Sequence, residues 1–196
     1  MAILPIYLYG TEMLKKKARP IDGIETSVIK LMVDLAQTMR KANGIGLAAT
    51  QVGDMRQLLV VDQTAIERVG REEEDEEDTP PPSEVKTLVM INPVVVDEEG
   101  TISLEEGCLS IPELRAEVDR AERIRVKFRD HNFDETELTA EGFLGRVILH
   151  EIDHLNGILF VDRIGKTRKT FLNSDLRKIK KGEVDTSYPV VTSLGV

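Results

Sequence analysis

The sequence predicts an α+β fold. Two amphipathic helical stretches flank a middle rich in β-like segments, and glycine- or proline-bearing breaks separate those segments. The order of helix, strands and helix differs from the alternating strand–helix units of a parallel α/β sheet.

The first helix is expected over residues 26–42, "TSVIKLMVDLAQTMRKA", where Val28, Leu31, Met32, Leu35 and Met39 recur at helical spacing. Asn43-Gly44 supply its stop. "GIGLAATQVG", residues 44–53, is too poor in large side chains to build core, and its glycines suggest a close backbone approach. It is no dinucleotide loop, because Ala49 stands where a third glycine belongs and no strand precedes it. "RQLLVVD", residues 56–62, reads as a buried strand, and "KTLVMINPVVVD", residues 86–97, as one or two strands broken near Pro93.

Between these strands, residues 67–84 carry a run of acids and then three prolines, which cannot form a packed core. They are expected as an exposed, mobile loop insertion acting as a solvated spacer. Further strands are expected at 101–104, 115–119, 122–129 and 133–139. In the third of these, Ile124, Val126 and Phe128 alternate with charges. Over 140–155 the apolar residues return to helical spacing, and Asn156-Gly157 end the helix. After Phe160 the chain becomes cationic. A second, exposed helix is expected there, broken at Gly182, with "TSYPVV" extended.

With 196 residues the chain is expected to form one domain, 1–196, with 163–196 as a variable carboxyl-terminal segment. Apolar residues at 41% and charged residues at 31% suit a packed core under a solvated surface. No apolar run approaches the ~18 residues of a membrane span, and the amino terminus lacks the features of a secretory signal. A cytoplasmic protein is expected. The net charge of -9 comes mostly from seven consecutive acids, residues 72–78, and speaks against a protein that coats DNA. The single cysteine, Cys108, excludes an intramolecular disulfide and is core, nucleophile or metal ligand.

Chemistry concentrates in "RVILHEIDHLNG", residues 146–157. His150 and His154 lie four apart on one helical face and can aim their imidazoles at one ion. Glu151, about 100° around the helix, is set to take a proton from a water on that ion. Burying this polar group among apolar neighbours without a metal is costly. Asp153 has two possible settings, beside a ligand imidazole or in solvent. A third ligand is needed. Downstream candidates are Asp162 and Asp175, which define a zincin-like metallopeptidase as the alternative reading. Upstream, Cys108 in "LEEGCLSIPE" offers a thiolate. One cysteine with two histidines leaves a fourth position open, as in a catalytic site.

Three stretches in this order, "GIGLAATQ" (44–51), "EGCLS" (106–110) and "HEIDH" (150–154), make the chain resemble the bacterial peptide deformylases over roughly residues 3 to 165. The resemblance implies mixed and antiparallel sheets packed around a central metal-binding helix. It also implies removal of the formyl group from N-formyl-methionyl nascent peptides, with formate released. By matching position, Cys108, His150 and His154 are the implied metal ligands and Glu151 the general acid/base. Gln51 and the backbone N–H of Leu109 are the implied oxyanion donors, and Gly46 aligns the substrate as an added strand. The implied native ion is Fe2+, with Zn2+, Ni2+ or Co2+ able to substitute.

Ile45, Phe143 and Val147 are expected to wall a methionine pocket, and Arg115 to hold the peptide further along. Many family members carry Gln before the first histidine, where this chain has Leu149. The cationic tail raises contact with ribosomal RNA as an expectation, beside the plainer reading of a solvated helix.

Overall fold

The computed structural model describes residues 2–69 and 86–195. In chain order the elements begin with β1 (Ile6–Tyr7), a 3-10 turn (Glu12–Lys15) and α1 (Thr26–Lys41). Then come β2 (Gly46–Ala48), a second 3-10 turn (Ala49–Val52), β3 (Leu58–Asp62) and α2 (Gln63–Val69). The middle holds β4 (Thr87–Glu99), β5 (Ile102–Cys108), β6 (Ile111–Arg120), β7 (Arg123–Arg129) and β8 (Glu135–Glu141). The chain then continues through α3 (Gly142–Leu155), α4 (Phe160–Arg163), α5 (Lys166–Lys181) and β9 (Val190–Val191).

Five strands form an antiparallel sheet in the order β2-β3-β4-β7-β8, so β2 is an edge. β5 and β6 form a separate antiparallel pair, and β1 pairs with β9 in parallel. The fold is thus α+β with mostly antiparallel sheets, as expected. β3 explains why a five-residue run can be buried throughout. Its Leu59 and Val61 face the core shared with α3 residues Ile148 and Ile152. Its Leu58 and Val60 face a second core with Leu35 and Met39 of α1. A helix covers each face of the sheet, so alternation of polar and apolar residues gives way to a continuous apolar strand.

Some local expectations change. Pro93 does not break its segment: β4 runs through it, with a register shift between Ile91 and Val94 and a left-handed Asn92 (φ 50). A bulge is where a strand tolerates a residue with no N–H. Helix α2 was not foreseen. The Asp62 side chain accepts the Ala65 N–H at 3.1 Å and starts it. The expected acidic loop begins inside this helix, and its residues 70–84 lie outside the described residues.

α3 ends as its sequence indicates. Gly157 is left-handed (φ 75), Gly157 N–H bonds to His154 O at 3.1 Å, and Ile158 N–H bonds to Asp153 O at 2.9 Å. A Cβ on Gly157 would lie 2.6 Å from Lys15 O, so the stop also permits docking against the 3-10 turn. α5 follows as a largely exposed helix with Leu176 and Ile179 buried, and ends at left-handed Gly182 (φ 76).

Candidate metal centre and active-site cleft

α3 carries His150 and His154 on one face, and β5 delivers Cys108 at its last residue, beside a register shift in the β5–β6 pair. Cys108 Sγ lies 3.2 Å from His154 Nε2, and the two histidine Nε2 atoms lie 3.2 Å apart. All three donor atoms fall within 4.8 Å of one another. Ligands around one tetrahedral zinc-like ion, bonded at about 2.0–2.3 Å, sit about 3.3–3.7 Å apart. The donor set therefore fits a single divalent cation.

The two imidazoles differ in their surroundings. Burial opposes protonation of His150, but Cys108 and Glu106 beside it hold its imidazole well above the ordinary value. Burial, His150 and Arg120 hold His154 well below it.

A buried ionic cluster stands behind the three donors. Glu106 Oε2 is 3.0 Å from His150 Nδ1, which fixes that ring's orientation. Arg120 donates to Glu106 Oε1 and Oε2 at 2.5 and 2.9 Å, and to Asp153 at 2.8 Å. Arg146, one turn before His150, donates to Glu106 at 2.6 Å and to the Val118 and Ile102 carbonyls. Arg163 closes the cluster on Asp153. Burial alone would raise the Glu106 carboxyl, but His150 and Arg120 bring it down to about 2. Of its two possible settings Asp153 takes neither: it is buried and bonded to arginines rather than to an imidazole or solvent. Glu106 and Arg146 were missed in the sequence, although each left a trace. Glu106 is two residues before Cys108 on the same strand face, and Arg146 repeats the four-residue spacing of the histidines.

Glu151 is buried beside the three donors, and burial pushes its carboxyl up to about 7 against the pull of His150 and Arg120. Among the described residues its Oε2 has no hydrogen-bond partner. A Cβ on Gly46 would meet the Glu151 carboxyl carbon at 2.9 Å. The close approach signalled by the glycines thus has an occupant within the protein: a bare residue on β2 makes room for the Glu151 carboxylate. Gln51 is held in one orientation, because its Oε1 accepts the Ala48 N–H at 2.8 Å. Its amide N–H groups are thereby turned towards Ser110 Oγ at 3.3 Å and Cys108 Sγ at 3.7 Å. Thr50 Oγ1 donates to His154 O at 3.0 Å and ties this turn to α3.

These groups sit in a cleft of about 470 Å³. Ile45, Gly46, Leu109, Phe143 and Val147 line it, together with Gln51, Cys108, His150 and Glu151. Arg115 is at its wall, paired loosely with Glu105 at 3.7 Å. His154 lies behind the others and is 1% exposed. Leu149 packs into the core shared with the sheet. The downstream carboxylates of the zincin-like alternative are engaged elsewhere, Asp162 with Lys15 and Lys169 and Asp175 with Lys178.

Residues 185–188 of the carboxyl-terminal tail also line the cleft. No local pattern in the sequence pointed to them, because their position depends on the parallel pairing of the two chain ends.

Comparison with known proteins agrees with this geometry. A family model described as polypeptide deformylase matches residues 3–170. A peptide deformylase of Salinibacter ruber is 46% identical over 191 residues, which span 97% of this chain and 95% of that protein. The crystal structure of a peptide deformylase from Legionella pneumophila superposes with a TM-score of 0.78 at 35% identity, covering 93% of this chain and 98% of the other. That of an Ehrlichia chaffeensis peptide deformylase in complex with actinonin gives a TM-score of 0.77 at 33% identity, covering 94% and 100%.

Proposed function

The chain belongs to the polypeptide deformylase family, enzymes that remove the formyl group from nascent peptides, and we propose how its own residues divide that hydrolysis. Cys108, His150 and His154 hold the metal, and one observation carries this: three donors converge within 4.8 Å at the base of a cleft, beside a buried carboxyl with an unpartnered oxygen. The ion supplies Lewis acidity and an acidified water when bound, and we propose Fe2+ as the native one, with Zn2+, Ni2+ or Co2+ able to replace it on a thiolate–imidazole set.

Glu151 is the general acid/base. Burial raises its carboxyl, and the Oε2 left without a partner is the atom that takes and returns the proton. Gln51 donates from its amide nitrogen to the developing oxyanion, and the backbone N–H of Leu109 is the second donor. β2 is an edge strand, which suits a substrate chain adding beside Gly46. Ile45, Phe143 and Val147 bury the methionine side chain, and Arg115 meets the chain beyond it.

The described residues contain no helix long and apolar enough to cross a membrane. We propose a cytoplasmic enzyme, with residues 1–196 as one domain. Exposed cations of α5 such as Lys166, Arg177 and Lys180 are proposed to touch the ribosome. Salt-sensitive pelleting with ribosomes, lost on removal of residues 163–196, tests that contact, and equal pelleting by both forms rejects it.

The central test is anaerobic purification followed by metal analysis and a formate-release assay on formyl-methionyl peptides. The parent protein should carry about one metal per chain and release formate. Glu151→Ala should keep the metal and lose about 10²–10⁴-fold in rate, whereas Cys108→Ala should lose the metal. A metal-loaded parent that releases no formate would overturn the reading.

A further inference from the structure

The tail that enters the cleft is held there by specific contacts. β9 pairs with β1 in register Ile6 with Val190 and Tyr7 with Val191. Ile6 N–H bonds to Pro189 O at 2.9 Å, and Leu8 N–H bonds to Val191 O at 2.8 Å. From this pair two contacts reach the loop after Cys108. Tyr9 N–H donates to Ser110 O at 2.8 Å, and the Tyr188 hydroxyl donates to Leu109 O at 2.8 Å. Two successive carbonyls of the loop are thus gripped, one by each end of the chain. The same loop supplies Ser110 Oγ, which accepts from the Gln51 amide. The Tyr188 ring is half-buried and packs with Leu109 against the core under α1. Ser187 is exposed where the tail lines the cleft. The family match ends at residue 170, so the tail residues that make these contacts lie beyond the matched segment.

We propose that the carboxyl-terminal tail is part of the catalytic cleft: Tyr188 is a positioning residue that sets the Leu109 peptide units, and residues 185–187 form a wall against the chain that follows formylmethionine. The inference rests on the deformylase reading and on Leu109 as an oxyanion donor. The peptide planes on either side of Leu109 share its Cα. A hydroxyl anchoring the carbonyl of one plane limits rotation of the other, whose N–H must meet the oxyanion. A loosened donor weakens binding in the transition state more than in the ground state, and its loss appears in kcat.

Tyr188→Phe removes only the hydroxyl and keeps the packed ring. On metal-loaded, full-length protein with a formyl-Met-Ala-Ser peptide, kcat should fall about tenfold while KM stays within twofold. This is a fraction of the ~10²–10³ that loss of an oxyanion donor costs. A purely structural tyrosine would lower the melting temperature and leave kcat per bound metal unchanged. Ser187→Trp sits on the exposed wall and does not depend on tail packing. It should raise KM for the tripeptide about tenfold and leave kcat within twofold. If both variants keep parental kcat and KM per metal, the inference is overturned while the deformylase reading stands. If the parent itself releases no formate, the deformylase reading fails and takes this inference with it.

Discussion

Two sets of ion pairs in this protein use the same residue types and differ in almost everything else. On strands β4, β7 and β8, Arg123 reaches Glu99 and Glu141, Arg125 reaches Asp97 and Glu137, and Arg129 reaches Glu135. These side chains are largely in water: Arg125 and Glu137 are 47% and 39% exposed. Behind the metal donors, Arg120 and Glu106 are 2% and 4% exposed and bond through two atoms each. The exposed pairs gain little, because water screens them and long side chains lose freedom in meeting. In the buried cluster no water replaces a lost partner, so each charge depends on the others. The contrast shows why counting ion pairs says little here. The exposed pairs decorate a sheet, whereas the buried ones orient His150, a proposed metal ligand.

The strongest way to break the contrast is Glu106→Ala. It leaves Arg120 and Arg146 buried without their carboxylate and frees His150 Nδ1. We expect a loss of about 3–5 kcal/mol in chemical denaturation and a roughly 10–100-fold weaker metal affinity by chelator competition. A change below about 1 kcal/mol would place the cluster with the surface pairs.

Asp162 is intermediate, its side chain 31% exposed. It accepts the Leu159 N–H at 3.0 Å and pairs with Lys15 and Lys169, joining the amino-terminal turn to α5. Burial opposes its ionisation, but Lys15, the Leu159 N–H and Lys169 hold its carboxyl below the ordinary 3.8. A lowered folded value means that its contribution is full above pH 3.8 and is lost as the pH falls through the folded value. Asp162→Asn should therefore cost about 1 kcal/mol at pH 7, with the gap to the parent closing progressively below pH 3.8 in urea melts. A gap that is constant down to pH 2 would mean that the hydrogen bonds, not the charge, hold these elements together.

The smallest effect is expected at Arg125 and Glu137. A double-mutant cycle to alanine should give a coupling below about 1 kcal/mol, vanishing in 1 M salt, where the screening length is about 3 Å. A coupling that survives salt would show the sheet surface to be less wet than its exposure implies.

Much of the architecture was legible beforehand because it is written in short-range periodicity. The α1 and α3 stripes, the alternation in β7 and the Asn156-Gly157 stop each depend on neighbours within a turn or two. Helical spacing alone aligned His150 with His154, and "EGCLS" marked Cys108 as a candidate partner. α2 was hidden because it is short and starts on a side-chain bond from Asp62. Pro93 misled because a bulge, not a break, absorbs its missing N–H.

The sequence by itself therefore determined the α+β class, the donor types and the spacing of two donors, since helix and strand periods are local. Only the tertiary structure decided that Glu106 meets Arg120, Arg146 and His150 across separations of 14, 40 and 44 residues. It also decided that Gly46 leaves room for Glu151, and that Tyr188 reaches back 79 residues to Leu109. Those pairings follow from how sheets and helices stack and from where the two ends of the chain meet. Burial is what gives them their strength, and burial is a property of the packed chain rather than of any segment in it.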